Sequence, residues 1–284
     1  MDHPAIFQPL QLRHLTLRNR IVFGAHTANM SVDGLPGERH LGYYRERAMG
    51  GAAMIVVEPV PIHKTAVLTR GNFRADDDSV IPHFRRITDA VHAEGAHIIQ
   101  QLYHVGAHGD WDNSLAYNWS PSGLPSMHDS DGSHAMTQGE IAEIVAAFAR
   151  CAARAKASGY DGCELMAAYN ALIEQFWSPY SNRRDDKYGG SFENRMRFSD
   201  EVLMAIRKAC GEDFVIGMAI SIDQFILPVC RVFNQILNVA KIKMTNDQYL
   251  TTITEIIALN IEETLKERDP QSICATDSKI SLGT

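Results

Sequence analysis

The chain has 284 residues, 45% of them hydrophobic, which is enough for one large domain or one domain plus an appendage. Its formal net charge of -7 argues against nucleic-acid binding, and no apolar run reaches the roughly 20 residues of a membrane-spanning helix. The first residues, MDHPAIFQPL, lack the charged and apolar regions of a signal peptide. Cys151, Cys163, Cys210, Cys230 and Cys274 are scattered without a CxxC pair, so a reduced, cytoplasmic chain is expected, with no zinc ribbon and no iron–sulfur cluster.

In chain order, strands are expected at 20–24, 53–58, 97–103, 162–166 and 214–221. Each is a short, nearly continuous apolar run of the kind that is buried on both faces of a parallel sheet. Helices are expected between them at 39–49, 80–93, 137–158 and 192–210. Gly50, Gly95 and Gly211 act as stops, and Thr137 with Glu140 has the spacing of a capping box. This alternation gives an α/β fold. The first strand is followed by AHTANMSVDG rather than GxGxxG, while the loops after Glu58, Tyr103 and Met166 are long and polar. A (β/α)8 TIM barrel, with its chemistry at the strand C-termini, is therefore preferred to a doubly wound sheet.

Composition changes near residue 223. Of the 20 glycines, 19 precede it, and all 12 histidines precede residue 135. Five strands fall short of eight, so the barrel is expected to be truncated after the fifth strand. Residues 1–223 form the barrel portion, and 224–284 form an atypical tail with a helix at 245–268.

Several groups could carry chemistry. Gln100 and Gln101, followed by Tyr103, His104 and Gly106, end the third strand, where a carboxamide can read a heterocycle edge or bond a neighbouring strand. Ala25, His26 and Thr27 end the first strand and either support a ring system or form a satisfied rim. His104, His108, His128 and His134 with Asp110, Asp129 and Asp131 suggest a metal site or a solvated loop. Residues 162–195 are dense in charge, turn and aromatic residues. There Arg183, Asp185, Glu193 and Arg195 could form an ion-pair network that fixes the loop. Trp111, Tyr117, Trp119 and Tyr169 suggest an aromatic-lined mouth, or rings packing the loop on the barrel.

QFWSPYSNRRDDKYGGSFENRMRF, FQPLQLRHLTLRNRIVFGAHT and QQLYHVG occur in this order. Together they resemble the signatures of the Old Yellow Enzyme family of NADH:flavin oxidoreductases, in the flavour of the 2,4-dienoyl-CoA reductase and trimethylamine dehydrogenase branch, over residues 5–223. The resemblance implies a TIM barrel binding FMN noncovalently, with NAD(P)H as reductant and a reducible small-molecule substrate. It implies Ala25, His26, Thr27 and Pro59 against the flavin and Gln101 on its pyrimidine edge. It implies His104, Met166 and Tyr169 toward substrate, with Tyr169 as the proton or hydrogen-bond donor. Met166 and Tyr169 stand where many members carry a His pair or His and Asn. Ala219 stands where an arginine is common. The family builds its phosphate site, and the branch its cluster cysteines, from the part of the chain that corresponds to residues beyond 223, and nothing in residues 224–284 matches either. The alternatives are a catalytically inactive partial barrel that lacks the FMN phosphate site and self-associates through exposed barrel edges and, more remotely, a metal-dependent barrel hydrolase.

Overall fold

The computed structural model describes residues 5–67, 69, 71–74, 77–108, 117–126 and 132–220. The expected truncation, the tail and the helix at 245–268 lie outside the described residues.

Two short antiparallel strands, β1 (Leu10–Leu12) and β2 (Leu15–Leu17), form a hairpin that the sequence pattern did not reveal. The main sheet has five strands: β3 (Val22–Phe23), β4 (Met54–Pro61), β5 (His97–Tyr103), β8 (Gly162–Ala167) and β9 (Val215–Ile220). They run parallel in the order β3-β4-β5-β8-β9, so each neighbours its predecessor in the sheet. Strands β6 (Trp119–Ser120) and β7 (His134–Ala135) form a separate two-residue ladder within the long connection after β5.

The main helices are α1 (Glu38–Met49), α2 (Val80–Ala93), α3 (Gln138–Ala157) and α5 (Phe192–Cys210). The capping box of α3 forms as its spacing predicts. Thr137 Oγ1 accepts from the Glu140 amide at 3.2 Å, and the Glu140 carboxylate accepts from the Thr137 amide at 2.7 Å. Each helix buries one stripe; in α1 it is His40, Tyr44 and Ala48, spaced four apart. The short α4 (Leu172–Trp177) was not expected. All six of its residues are buried, so it has no polar face and no periodic signal.

The sheet divides two cores. Its outer side packs Ile55, Ile98, Cys163 and Leu165 under the helices. Its inner side carries Met54, Val56, Ile99 and Val215, covered by Leu15 and Leu17 of the hairpin. The result is a parallel α/β half-barrel whose N-terminal end is plugged by β1–β2. The Gly162 backbone sits so close to β9 that a Cβ there would fall 2.3 Å from the Val215 carbonyl oxygen, which explains the glycine.

Candidate functional site

Alternation along the strands sets the inner face in layers. Above the apolar plug, Gln101 on β5 and Glu164 on β8 are register partners, and Gly217 on β9 lies beside Glu164. One layer higher, Met166 pairs with Ala219. At the strand ends lies a cavity of about 230 Å³ lined by Thr27, Pro59, Met166 and Tyr169, with Tyr103, Val105, His108 and Ala171 completing it. Four residues drawn from three separate motifs thus meet at one place. His108 was read from the sequence as a possible metal ligand or solvated-loop residue rather than as part of this cavity, while Val105 and Ala171 were given no role, because apolar neighbours of a motif carry no signal of their own.

The other expected residues lie elsewhere. Ala25 packs against the inner core. The His26 ring stacks on Tyr43 and its Nδ1 lies 3.2 Å from the Tyr43 hydroxyl, which turns it toward α1. Gln101 is below the cavity and donates to Glu164 at 2.6 Å. His104 is 1% exposed and does not reach the cavity. Its Nδ1 accepts from the Gly106 amide at 3.0 Å, so its Nε2 carries the proton and donates to Thr65 Oγ1 at 2.9 Å. Thr65 then donates to His63 Nδ1 at 2.8 Å, and His63 Nε2 donates to Glu143 at 3.1 Å. Burial pushes the His104 imidazole down to about 3, so it is neutral at physiological pH. Histidine 108, four residues on, is the one that reaches the cavity, edge-to-face with Tyr169 at 6.2 Å.

Two supports hold the cavity loops. Glu58, wholly buried, accepts from the Tyr44 hydroxyl at 2.9 Å and from the Ala28 and Asn29 amides at 2.9 and 3.3 Å. It thereby anchors the backbone next to Thr27. Burial raises its carboxyl above the ordinary range, against the pull of these hydrogen bonds. Gln175 of α4 joins the other two loops. Its Nε2 donates to the Val105 carbonyl at 3.2 Å and the Asn170 carbonyl at 2.7 Å, while its Oε1 accepts from the Ala107 amide at 3.1 Å. It holds Tyr169 and Asn170, at φ 61° and 51°, in a left-handed pair that non-glycine residues rarely adopt.

Gly106, at φ 66°, makes room for that staple, since a Cβ there would lie 2.2 Å from Gln175 Oε1. Gly106→Ala is therefore expected to cost about 2 kcal/mol, by strain and by displacing Gln175. Gly42→Ala, in α1 with nothing within 4 Å, is expected to be neutral or stabilising. Urea midpoints of the two variants check the contrast.

The 178–195 segment is scaffold. Arg184 pairs with Asp186, two residues outside the network of Arg183, Asp185, Glu193 and Arg195 that the sequence suggested. Arg184 also donates to the Pro121 and Met136 carbonyls, at 2.7 and 2.5 Å. Arg183 instead stacks on Tyr180, and Arg195 donates to the Trp177 carbonyl at 2.7 Å. Among the expected aromatic residues, Trp119 packs on His63 at 5.1 Å, Tyr117 is exposed and Trp111 lies outside the described residues. Among the described residues no group of three His, Cys, Asp or Glu is arranged to hold a metal. His128, Asp110, Asp129 and Asp131 lie outside them.

The N,N-dimethylglycine/sarcosine dehydrogenase of Chromohalobacter salexigens is 40% identical over 233 residues, 79% of this chain and 33% of that protein. A probable N-methylproline demethylase of Rhizobium meliloti is 42% identical over 229 residues, 79% of this chain and 33% of the relative. The chain thus spans about a third of the length of these relatives. The structure of morphinone reductase in complex with tetrahydroNAD superposes with a TM-score of 0.72 at 32% identity, over 78% of this chain and 66% of the other. The model of the NADH:flavin oxidoreductase / NADH oxidase family matches residues 5–278, running past the change in composition at 223. With its half-barrel, its strand-end cavity and its ordered motifs, the chain belongs to the NADH:flavin oxidoreductase / NADH oxidase family, that of the Old Yellow Enzyme.

Proposed function

We propose that this chain is the catalytic barrel portion of an FMN-dependent oxidoreductase, moving hydride between NAD(P)H and an unsaturated or otherwise reducible small organic molecule. The observation that carries the reading is the convergence of Thr27, Pro59, Met166 and Tyr169 on one cavity directly above the Gln101–Glu164 pair. The donor set fits a flat, amphipathic ring: apolar walls from Pro59, Val105 and Met166, a hydroxyl at Thr27, and a carboxamide below. FMN, when bound, supplies the hydride chemistry. Thr27, Pro59 and Gln101 hold and orient it. Tyr169, 58% exposed at the cavity rim, faces incoming substrate and offers it a hydroxyl donor, as His108 offers an imidazole. Residues 221–284, in which no match to the family's phosphate site was found in the sequence, lie outside the described residues.

A second reading is oxidation of an N-methyl amine, with hydride leaving the substrate. It is favoured by the printed activities of the two relatives above and by Met166 and Tyr169, which replace a carbonyl-binding His pair with an apolar and a phenolic side chain. The buried thiols of Cys163 and Cys210 suit a reducing, cytoplasmic setting. The test is reconstitution with FMN followed by anaerobic addition of NADH, NADPH or sarcosine. Bleaching of the flavin band by a nicotinamide supports the first reading, and bleaching by the amine alone supports the second. A chain that leaves FMN unbound overturns both.

A further inference from the structure

Glu164 has no part in the reading above, yet its placement determines what Gln101 can do. The two side chains face each other across β5 and β8, and Gln101 Nε2 donates to Glu164 Oε1 at 2.6 Å. Gln101 is 6% exposed and Glu164 is half-buried. On the other side of Glu164, β9 presents Gly217, whose backbone adds no side chain to the layer.

A carboxylate has only acceptors, so it can take only the NH2 end of an amide. The opposite end, the Gln101 carbonyl oxygen, has no partner among the described residues. We propose that Glu164 is a positioning residue. By holding the amide NH2 of Gln101, it leaves the carbonyl oxygen for the ligand and selects a ring edge that presents an N–H there. This rests on the FMN reading for the ligand's identity, but not for the orientation of the amide.

The same geometry contains its reversal. A protonated Glu164 carries an O–H that can donate to the amide oxygen, which turns the NH2 end toward the ligand. Burial raises the Glu164 carboxyl above the ordinary range, and the bond from Gln101 opposes that rise. Gln101 faces it from β5 and Gly217 from β9, and along its own strand the buried Cys163 thiol feels its charge.

The experiment uses the full chain with 15N-labelled glutamine. The Gln101 side-chain NH2 pair is identified by its loss in Gln101→Leu and followed from about pH 5 to 8. It is expected to shift with a midpoint above the ordinary glutamate value, and Glu164→Gln is expected to abolish that shift. The same chains are titrated with FMN, read by quenching of flavin fluorescence. Glu164→Gln is expected to weaken binding about tenfold near neutral pH and to flatten its pH dependence. A Gln101 pair that ignores pH in the unmodified chain overturns the proposal, and this arm needs no variant of Glu164 to fold. Equal FMN affinity in the unmodified chain and Glu164→Gln also overturns it. A Gln101 signal that titrates with Glu164 in a chain that fails to bind FMN supports the orientation and removes only the FMN reading.

Discussion

Arg184→Ala lowers the unfolding free energy by about 2 kcal/mol, the range for removing a half-buried guanidinium that makes several charge-assisted hydrogen bonds. The arginine side chain is 12% exposed and forks onto Asp186 through Nε and Nη2, at 3.0 and 2.6 Å. Its remaining nitrogen bonds the carbonyls of Pro121 and Met136. One side chain therefore ties the connection after β5 to the connection after β8, and its loss leaves two carbonyls and a carboxylate short of a donor. Arg184→Lys is expected to recover less than half, because an ammonium cannot reproduce the planar fork. Urea unfolding at neutral pH measures both. The fork also holds the Asp186 carboxyl down to about 2, chiefly through the Arg184 hydrogen bonds. Stability from this pair is full above the ordinary aspartate value and is lost as pH falls toward 2. An Arg184→Ala chain with an unchanged urea midpoint would show that the two connections hold without it.

The second large effect is acid sensitivity that begins while the carboxylates are still ionised. Burial lowers His104 to about 3 and His40 to about 4, both far below the ordinary histidine value of 6.5. For His40 the nearby Arg39 charge adds to the effect. Below pH 6.5 the unfolded chain takes up protons at these rings and the folded chain does not. Their contribution to stability is therefore complete above 6.5 and drains away as pH falls toward 4 and 3. At pH 5 each ring has forfeited roughly 2 kcal/mol. Glu58 and Glu164, with raised carboxyls, act in the opposite sense over part of this window. The decisive measurement is thus a difference in slope. Stability of the unmodified chain near pH 5 should rise more steeply with pH than that of His104→Gln, by about 1.4 kcal/mol per pH unit, one proton's worth. Parallel slopes would mean that His104 protonates in the folded state.

The sequence made most of the fold legible because its signals were redundant. Helices at 80–93 and 192–210 and the strand at 97–103 fall on their observed bounds, since glycine stops and apolar runs coincide there. The first strand shrinks to Val22–Phe23, although the carbonyl of Ile21 still accepts from Ala53 at 2.9 Å. The hairpin β1–β2 was hidden because strands of three residues are too short to show alternation. Thr27, Pro59, Met166 and Tyr169, picked out through their motifs, line one cavity. His104 was misdirected by its motif, for nothing in QQLYHVG says which way an imidazole turns. What decided it was Thr65, 39 residues earlier, and the left-handed backbone of Gly106. Gln175 and Glu164 escaped notice for the related reason that their partners are on other strands and loops.

The chain of bonds from the Gly106 amide to Glu143 has a polarity. Each link donates in the same sense, outward, from a backbone amide that can only donate to a carboxylate that only accepts. A main-chain N–H thus dictates the tautomer of His104, then the rotor of Thr65, then the tautomer of His63. The Val105–His108 turn is thereby tied, through Gly106 and the three side chains of His104, Thr65 and His63, to the surface carboxylate of Glu143.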